Sequence, residues 1–186
     1  MKYIHLAGIA VAAVAVATFL LTAPLARAFP SWDIATAASA TQQDSTLSRL
    51  SVTAADNIPR KANTYPDAVD GFAWADLNTG KVVVATIHPS FRDSSQNPDS
   101  WHLHAAQLAN GVNGHNFCIA SFFPNPTAGV SILGNKLTVN IENSKMPFAT
   151  SEIDGAVGFV VNGEPGCPEA GGHLAVDVTG APVGLS

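Results

Sequence analysis

The residues best suited to chemistry are the histidines of Trp101-His102-Leu103-His104. In an extended strand, residues at i and i+2 point to the same face, about 6.6 Å apart along the chain. Two imidazoles so placed can share one metal ion if a third ligand arrives from a neighbouring strand. His88, His115 and His173 are the candidates for that role. His88 ends the preceding apolar run, so it is the best placed if the two strands pair. Copper and zinc are the ions that suit imidazole. The competing reading buries Trp101, Leu103 and Ala105 in the core and leaves the histidines to hydrogen-bond loop carbonyls. A second oxygen-rich stretch, Asp93-Ser94-Ser95-Gln96-Asn97-Pro98-Asp99, spaces its side chains as a calcium loop does. However, Pro98 stands where such a loop needs glycine, and His104 where it needs a bidentate Glu. That stretch reads as a solvated turn.

Cys118 and Cys167 are the only cysteines. A blue-copper ligand would need His and Met close behind the Cys, whereas Ile-Ala-Ser-Phe-Phe follows Cys118. An even pair in an exported chain is read as one disulfide, closing a separation of 49 residues. H-E-x-x-H, G-x-S-x-G, phosphate-binding glycine loops and C-x-x-C are all missing.

The elements that must position these groups follow from composition and periodicity. The chain has 186 residues, 47% hydrophobic and only 12% charged, with 15 Gly and 12 Pro. Those values suit one turn-rich domain and exclude a long helical bundle. A net charge of −5 speaks against nucleic acid as a partner. Residues 6–21 carry no charge, Lys2 precedes them, and Ala26-Arg27-Ala28 supplies a small-x-small cleavage site. Residues 1–28 therefore read as a secretory signal peptide. The rival reading is an uncleaved anchor, and membrane contact is expected only in that case. Either way the remainder is extracytoplasmic, with an unknown protein or surface ligand as its partner. Residues 29–68, rich in Ala, Ser, Thr and Gln, read as a flexible linker with one marginal helix near Ser45 to Leu50.

From residue 69 onward the pattern has period two. Phe72, Trp74 and Asp76 share a face, and Asn78-Thr79-Gly80 turns the chain back. Leu137, Val139 and Ile141 alternate with Thr138, Asn140 and Glu142 after a Gly134-Asn135 turn. Val157, Phe159 and Val161, then Leu174, Val176 and Val178, repeat it. About eight short strands in 69–186 and no long helix suggest an all-β, antiparallel sandwich or barrel, of which the sandwich is the architecture expected.

With these strands in place, residues 71–179 resemble the chordin-type (CHRD) domain. Trp101-His102-Leu103-His104 is similar to that family's A-H-I-H strand. Gly155 to Asn162 is similar to its late strand ending in V-N, and Gly171-Gly172-His173-Leu174 to its G-G-E-I. The resemblance implies an exported β-sandwich binding module. Ala105-Ala106 replaces the family's glycine after the histidines, His173 and Ala175 replace its glutamate and arginine, and no histidine stands at Gly163-Glu164. More remotely, the chain resembles copper/zinc superoxide dismutase in its H-x-H strand, single disulfide and Gly171-Gly172-His173-Leu174-Ala175. That family completes two metals with further histidines and an aspartate, and carries an arginine near its end. Here His115 is the candidate to follow the pair, and no arginine comes after Arg92. Dismutase activity is not expected.

The function expected from the sequence is a non-enzymatic, exported binding or structural module. Its rival is an extracytoplasmic copper- or zinc-binding protein using His102 and His104, with His88 or His173 as further ligands.

Overall fold

The computed structural model describes residues 29–61, 69–88 and 100–186. The expected signal segment and the Asp93 to Asp99 stretch lie outside them. Among the described residues no helix is long and apolar enough to cross a membrane.

Eleven strands are formed among the described residues: β1 (Ala35–Gln42), β2 (Leu47–Ala54), β3 (Val69–Asp76), β4 (Lys81–Ile87), β5 (His102–Asn110), β6 (Phe117–Phe122), β7 (Ala128–Leu133), β8 (Lys136–Glu142), β9 (Gly155–Gly163), β10 (Leu174–Val178) and β11 (Val183–Gly184). One sheet runs β1-β2-β8-β7 and the other β10-β6-β5-β4-β3-β9-β11, with every strand pair antiparallel. The all-β antiparallel sandwich expected from the alternation is the architecture observed.

Pairing also goes one step further. β10 bonds β6 on one side and β9 on the other. The strands β3, β4, β5, β6, β10 and β9 thus close into a six-stranded barrel, and the four-stranded sheet packs on its outside. Closure removes the exposed edges that an open sheet of this size would present. It also explains runs such as Val82-Val83-Val84, which are apolar on both faces. Val83 faces the sandwich core, while Val82 and Val84 line the barrel lumen.

The sandwich core is dry. Leu50, Val52, Leu137, Val139 and Ile141 of the four-stranded sheet meet Phe72, Trp74, Val83, Ala85 and Leu103 of the barrel wall. Phe72 stacks on Trp101 at 6.1 Å, and Trp32 meets both rings edge-on.

The described part of the expected linker, residues 29–61, belongs to the folded domain. Residues 31–54 form a 3-10 turn (Ser31–Asp33), β1 and β2, and supply Trp32, Ala35, Ala38, Leu50, Val52 and Ala54 to the core. The low content of large apolar residues misled because small residues fill the core positions and the buried hydroxyls of Ser48 and Ser51 are paired. Ser48 Oγ donates to Asn143 Oδ1 at 2.6 Å and lies 2.6 Å from Thr150 Oγ1. Ser39 and Ser51 share a 2.8 Å hydrogen bond. Satisfied hydroxyls of this kind are tolerated in an interior. Beyond β2, Ile58 is buried and Pro59 accepts a hydrogen bond from Trp101 Nε1 at 2.6 Å. The helix expected near Ser45 to Leu50 is instead the turn into β2 and its first half. The connection from β8 to β9 carries a 3-10 turn at Thr150–Glu152.

Candidate metal centre

Strands β4 and β5 pair with Val84 opposite His104 and Thr86 opposite His102. His88 lies one residue past the end of β4, two beyond Thr86, on the same face as Thr86 and His102. This register brings the three imidazoles together, with one ring nitrogen of each within 4.8 Å of the others. His88 and His102 are buried and His104 is half-buried. Their ring centroids stand 4.6 Å apart for His88 and His102, and 4.9 Å for His102 and His104.

The hydrogen bonds around the trio set the tautomers. His102 Nδ1 donates to the Ser100 carbonyl at 2.8 Å. His104 Nδ1 donates to Asn125 Oδ1 at 3.1 Å. Because neither oxygen can donate, both rings carry the proton on Nδ1 and the lone pair on Nε2. Carbonyl partners on the far nitrogen are the usual outer support of a metal-bound histidine. His88 Nε2 is 2.9 Å from His102 Nε2 and donates to its lone pair. Two nitrogens on a tetrahedral zinc at about 2.05 Å stand roughly 3.3 Å apart. The His88–His102 pair stands near that spacing, and the ligand nitrogens of all three lie within 4.8 Å of one another.

On the opposite face of β5, Trp101, Leu103 and Ala105 are in the sandwich core. The apolar positions of this strand pack, and its histidines bond to carbonyl oxygens and converge with His88.

The other two histidines go elsewhere. His115 Nδ1 donates to Asp177 Oδ2 at 2.8 Å, and its Nε2 lies 3.5 Å from Glu164. Glu164 accepts from the Gly166 backbone and the Asn113 amide. These bonds, with His115 nearby, hold its carboxyl below the usual range. His173 stands outside the trio. It is exposed, its Nδ1 donates to the Cys167 carbonyl at 2.8 Å, and it lies at the rim of the barrel. The glycines before it answer to local geometry. A Cβ on Gly171 would fall 1.8 Å from the Ile119 carbonyl oxygen, and Gly172 has φ of 73°.

Cys118 of β6 and Cys167, in the connection from β9 to β10, form a buried disulfide with Cα atoms 5.4 Å apart. It ties that connection, and His173 with it, to the barrel wall.

Two features lay beyond the sequence reading. One is the lumen. Its signal was the Ala and Val content of strands that are apolar on both faces. The other is Asp33, fully buried, with no hydrogen-bond partner for its carboxyl among the described residues. Nothing in a Trp-Asp-Ile triplet within a polar stretch announces it.

No family model matches the chain, and comparisons with curated proteins and with solved structures return no significant match.

Proposed function

We propose that the chain is an exported, disulfide-bonded β-domain in which His88, His102 and His104 bind one zinc or copper ion. The carrying observation is the convergence of three imidazoles on one face, two of them with Nε2 left as the lone-pair nitrogen by carbonyl partners. Three neutral nitrogen ligands suit borderline ions, and carboxylate-seeking calcium or magnesium fits poorly. Metal binding replaces the His88–His102 hydrogen bond and requires His88 in its other tautomer, so uptake weakens on acidification as protons compete for the lone pairs. The disulfide is the kind that persists in an oxidising compartment, which supports an extracytoplasmic location. The resemblance to the chordin-type domain supports a binding role over a catalytic one, and it runs through the same His102-Leu103-His104 strand.

The alternative role for the trio is purely structural, a hydrogen-bonded cluster closing the end of β4 on β5. Calorimetric titration of zinc and of copper(II) into metal-free protein separates the two. The wild type should take up one ion per chain, and His102→Ala none. The Ala variant should keep its near-ultraviolet circular dichroism, because the Trp101, Leu103 and Ala105 face is untouched, and lose about 1 kcal/mol of stability with the hydrogen bond. His104→Gln, at a half-buried position, gives the same reading if His102→Ala fails to fold. Absence of stoichiometric uptake by the wild type would leave only the structural role.

A further inference from the structure

A six-stranded barrel is narrow, and large inward side chains would fill it. Here the inward positions are mostly small. Ala73, Val82, Val84, Ala106 and Val176 line it, with Phe159 among them and Phe122 at its mouth. They leave a cavity of about 860 Å³ that opens beside His88 and His104. A second cavity of about 360 Å³ at the opposite end shares Ala73, Val82, Leu108, Phe159 and Val176 with the first. The apolar lumen therefore runs the length of the barrel.

Val84, Val161 and Leu174 remain half-buried although they point inward, whereas the sandwich core positions Leu50, Val52, Val83 and Val139 are 0% exposed. One layer of the protein is packed to the usual interior density, and the other keeps apolar surface open to water. The walls are apolar, and most polar groups gather at one rim, where His88, His104, Asn162, Glu164 and His173 stand. An apolar cavity of this size with a few convergent polar groups is the usual form of a small-molecule site.

We infer that the barrel lumen binds a single-chain amphiphile, with its apolar chain along the Ala73–Val82–Ala106 wall and its polar head at the histidine rim. At the opposite rim the acids are committed to turns. Asp76 accepts from Asn78 and Thr79, and Asp154 from the Leu77 backbone. Among the described residues that end carries the Asn110 amide but no imidazole, which places the head at the histidine rim.

The rim groups offer acceptors, the Nε2 lone pair of His104 and the Glu164 carboxylate, so the head they suit is a hydroxyl that donates. The test uses the neutral fluorophore N-phenyl-1-naphthylamine and, as competitors, the saturated C14 alcohol and the C14 hydrocarbon. All measurements are made in excess chelator, so the result is independent of the metal reading. The wild type should bind about one fluorophore per chain, and the alcohol should displace it at least ten-fold more effectively than the hydrocarbon. Ala106→Phe, which fills the lumen, should weaken fluorophore binding at least ten-fold. Val84→Trp, at a half-buried wall position, serves if Ala106→Phe does not fold. His104→Leu should weaken the alcohol and leave the fluorophore unchanged. Leu133→Ser, on the exposed surface of β7, should bind as the wild type does. Failure of the folded wild type to bind the fluorophore, or binding indifferent to both lumen-filling variants, overturns the proposal. Equal displacement by alcohol and hydrocarbon overturns the assignment of the head to the histidine rim.

Discussion

Replacing Asp33 with asparagine is expected to stabilise the fold by several kcal/mol at pH 9 and to change little near pH 4. Burial raises the Asp33 carboxyl to about 10, and the nearby Asp70 adds to the effect. In the unfolded chain the same carboxyl loses its proton near its ordinary value of 3.8. Between those values the native state holds a proton that the unfolded state has released, so stability declines as pH rises through the window. The slope reaches about 1.4 kcal/mol per pH unit for one such group. Asparagine cannot ionise and removes that slope. Asp44, Asp76 and Glu164 act in the opposite sense, since hydrogen bonds hold their carboxyls low and their contribution fades on acidification. They are common to both proteins and cancel in the comparison. Urea unfolding at a series of pH values, followed by the fluorescence of the buried Trp32, Trp74 and Trp101, measures the difference. Parallel stability curves for the two proteins would show that Asp33 is ionised in the fold.

Opening the Cys118–Cys167 disulfide should cost on the order of 4 kcal/mol, as the chain-entropy model gives for a separation of 49 residues. The bond lies in a small cluster with Ala175, apart from the main core, and with the packing of Gly171 on Ile119 it holds the connection between β9 and β10 against β6. Reduction should therefore lower the urea midpoint markedly while leaving the sandwich core cooperative. It should also free His173, whose ring is fixed by the Cys167 carbonyl. A Cys118→Ser, Cys167→Ser double variant with the wild-type midpoint would show that packing alone holds this rim.

The strands that could be read from the sequence are those whose alternation is local. Leu137, Val139 and Ile141 are buried in β8, with the intervening residues half-buried. The Gly134-Asn135 turn joins it to β7 through the Leu133 and Lys136 pair. Phe72, Trp74 and Asp76 share a buried face of β3, as their spacing predicts. β1 and β2 escaped because what buries them is distant in sequence. β2 pairs with β8, matching Leu50 to Val139 and Val52 to Leu137 across almost ninety residues. Small and hydroxylated residues are buried only because of that pairing, and composition alone made them look like a linker. The site divides in the same way. The common face of His102 and His104 is a property of one strand, but the arrival of His88 depends on the β4–β5 register, which a weak H-x-H pattern does not encode. Barrel closure depends on a few pairs between β6 and β10, and with it the lumen.

The central claim is that three histidines form one metal centre, and X-ray absorption at the zinc or copper edge of the one-to-one complex tests it most directly. The account predicts a first shell containing three nitrogens at about 2.0–2.1 Å for zinc, with the outer-shell scattering of imidazole rings. A shell of oxygens without the imidazole pattern would contradict it.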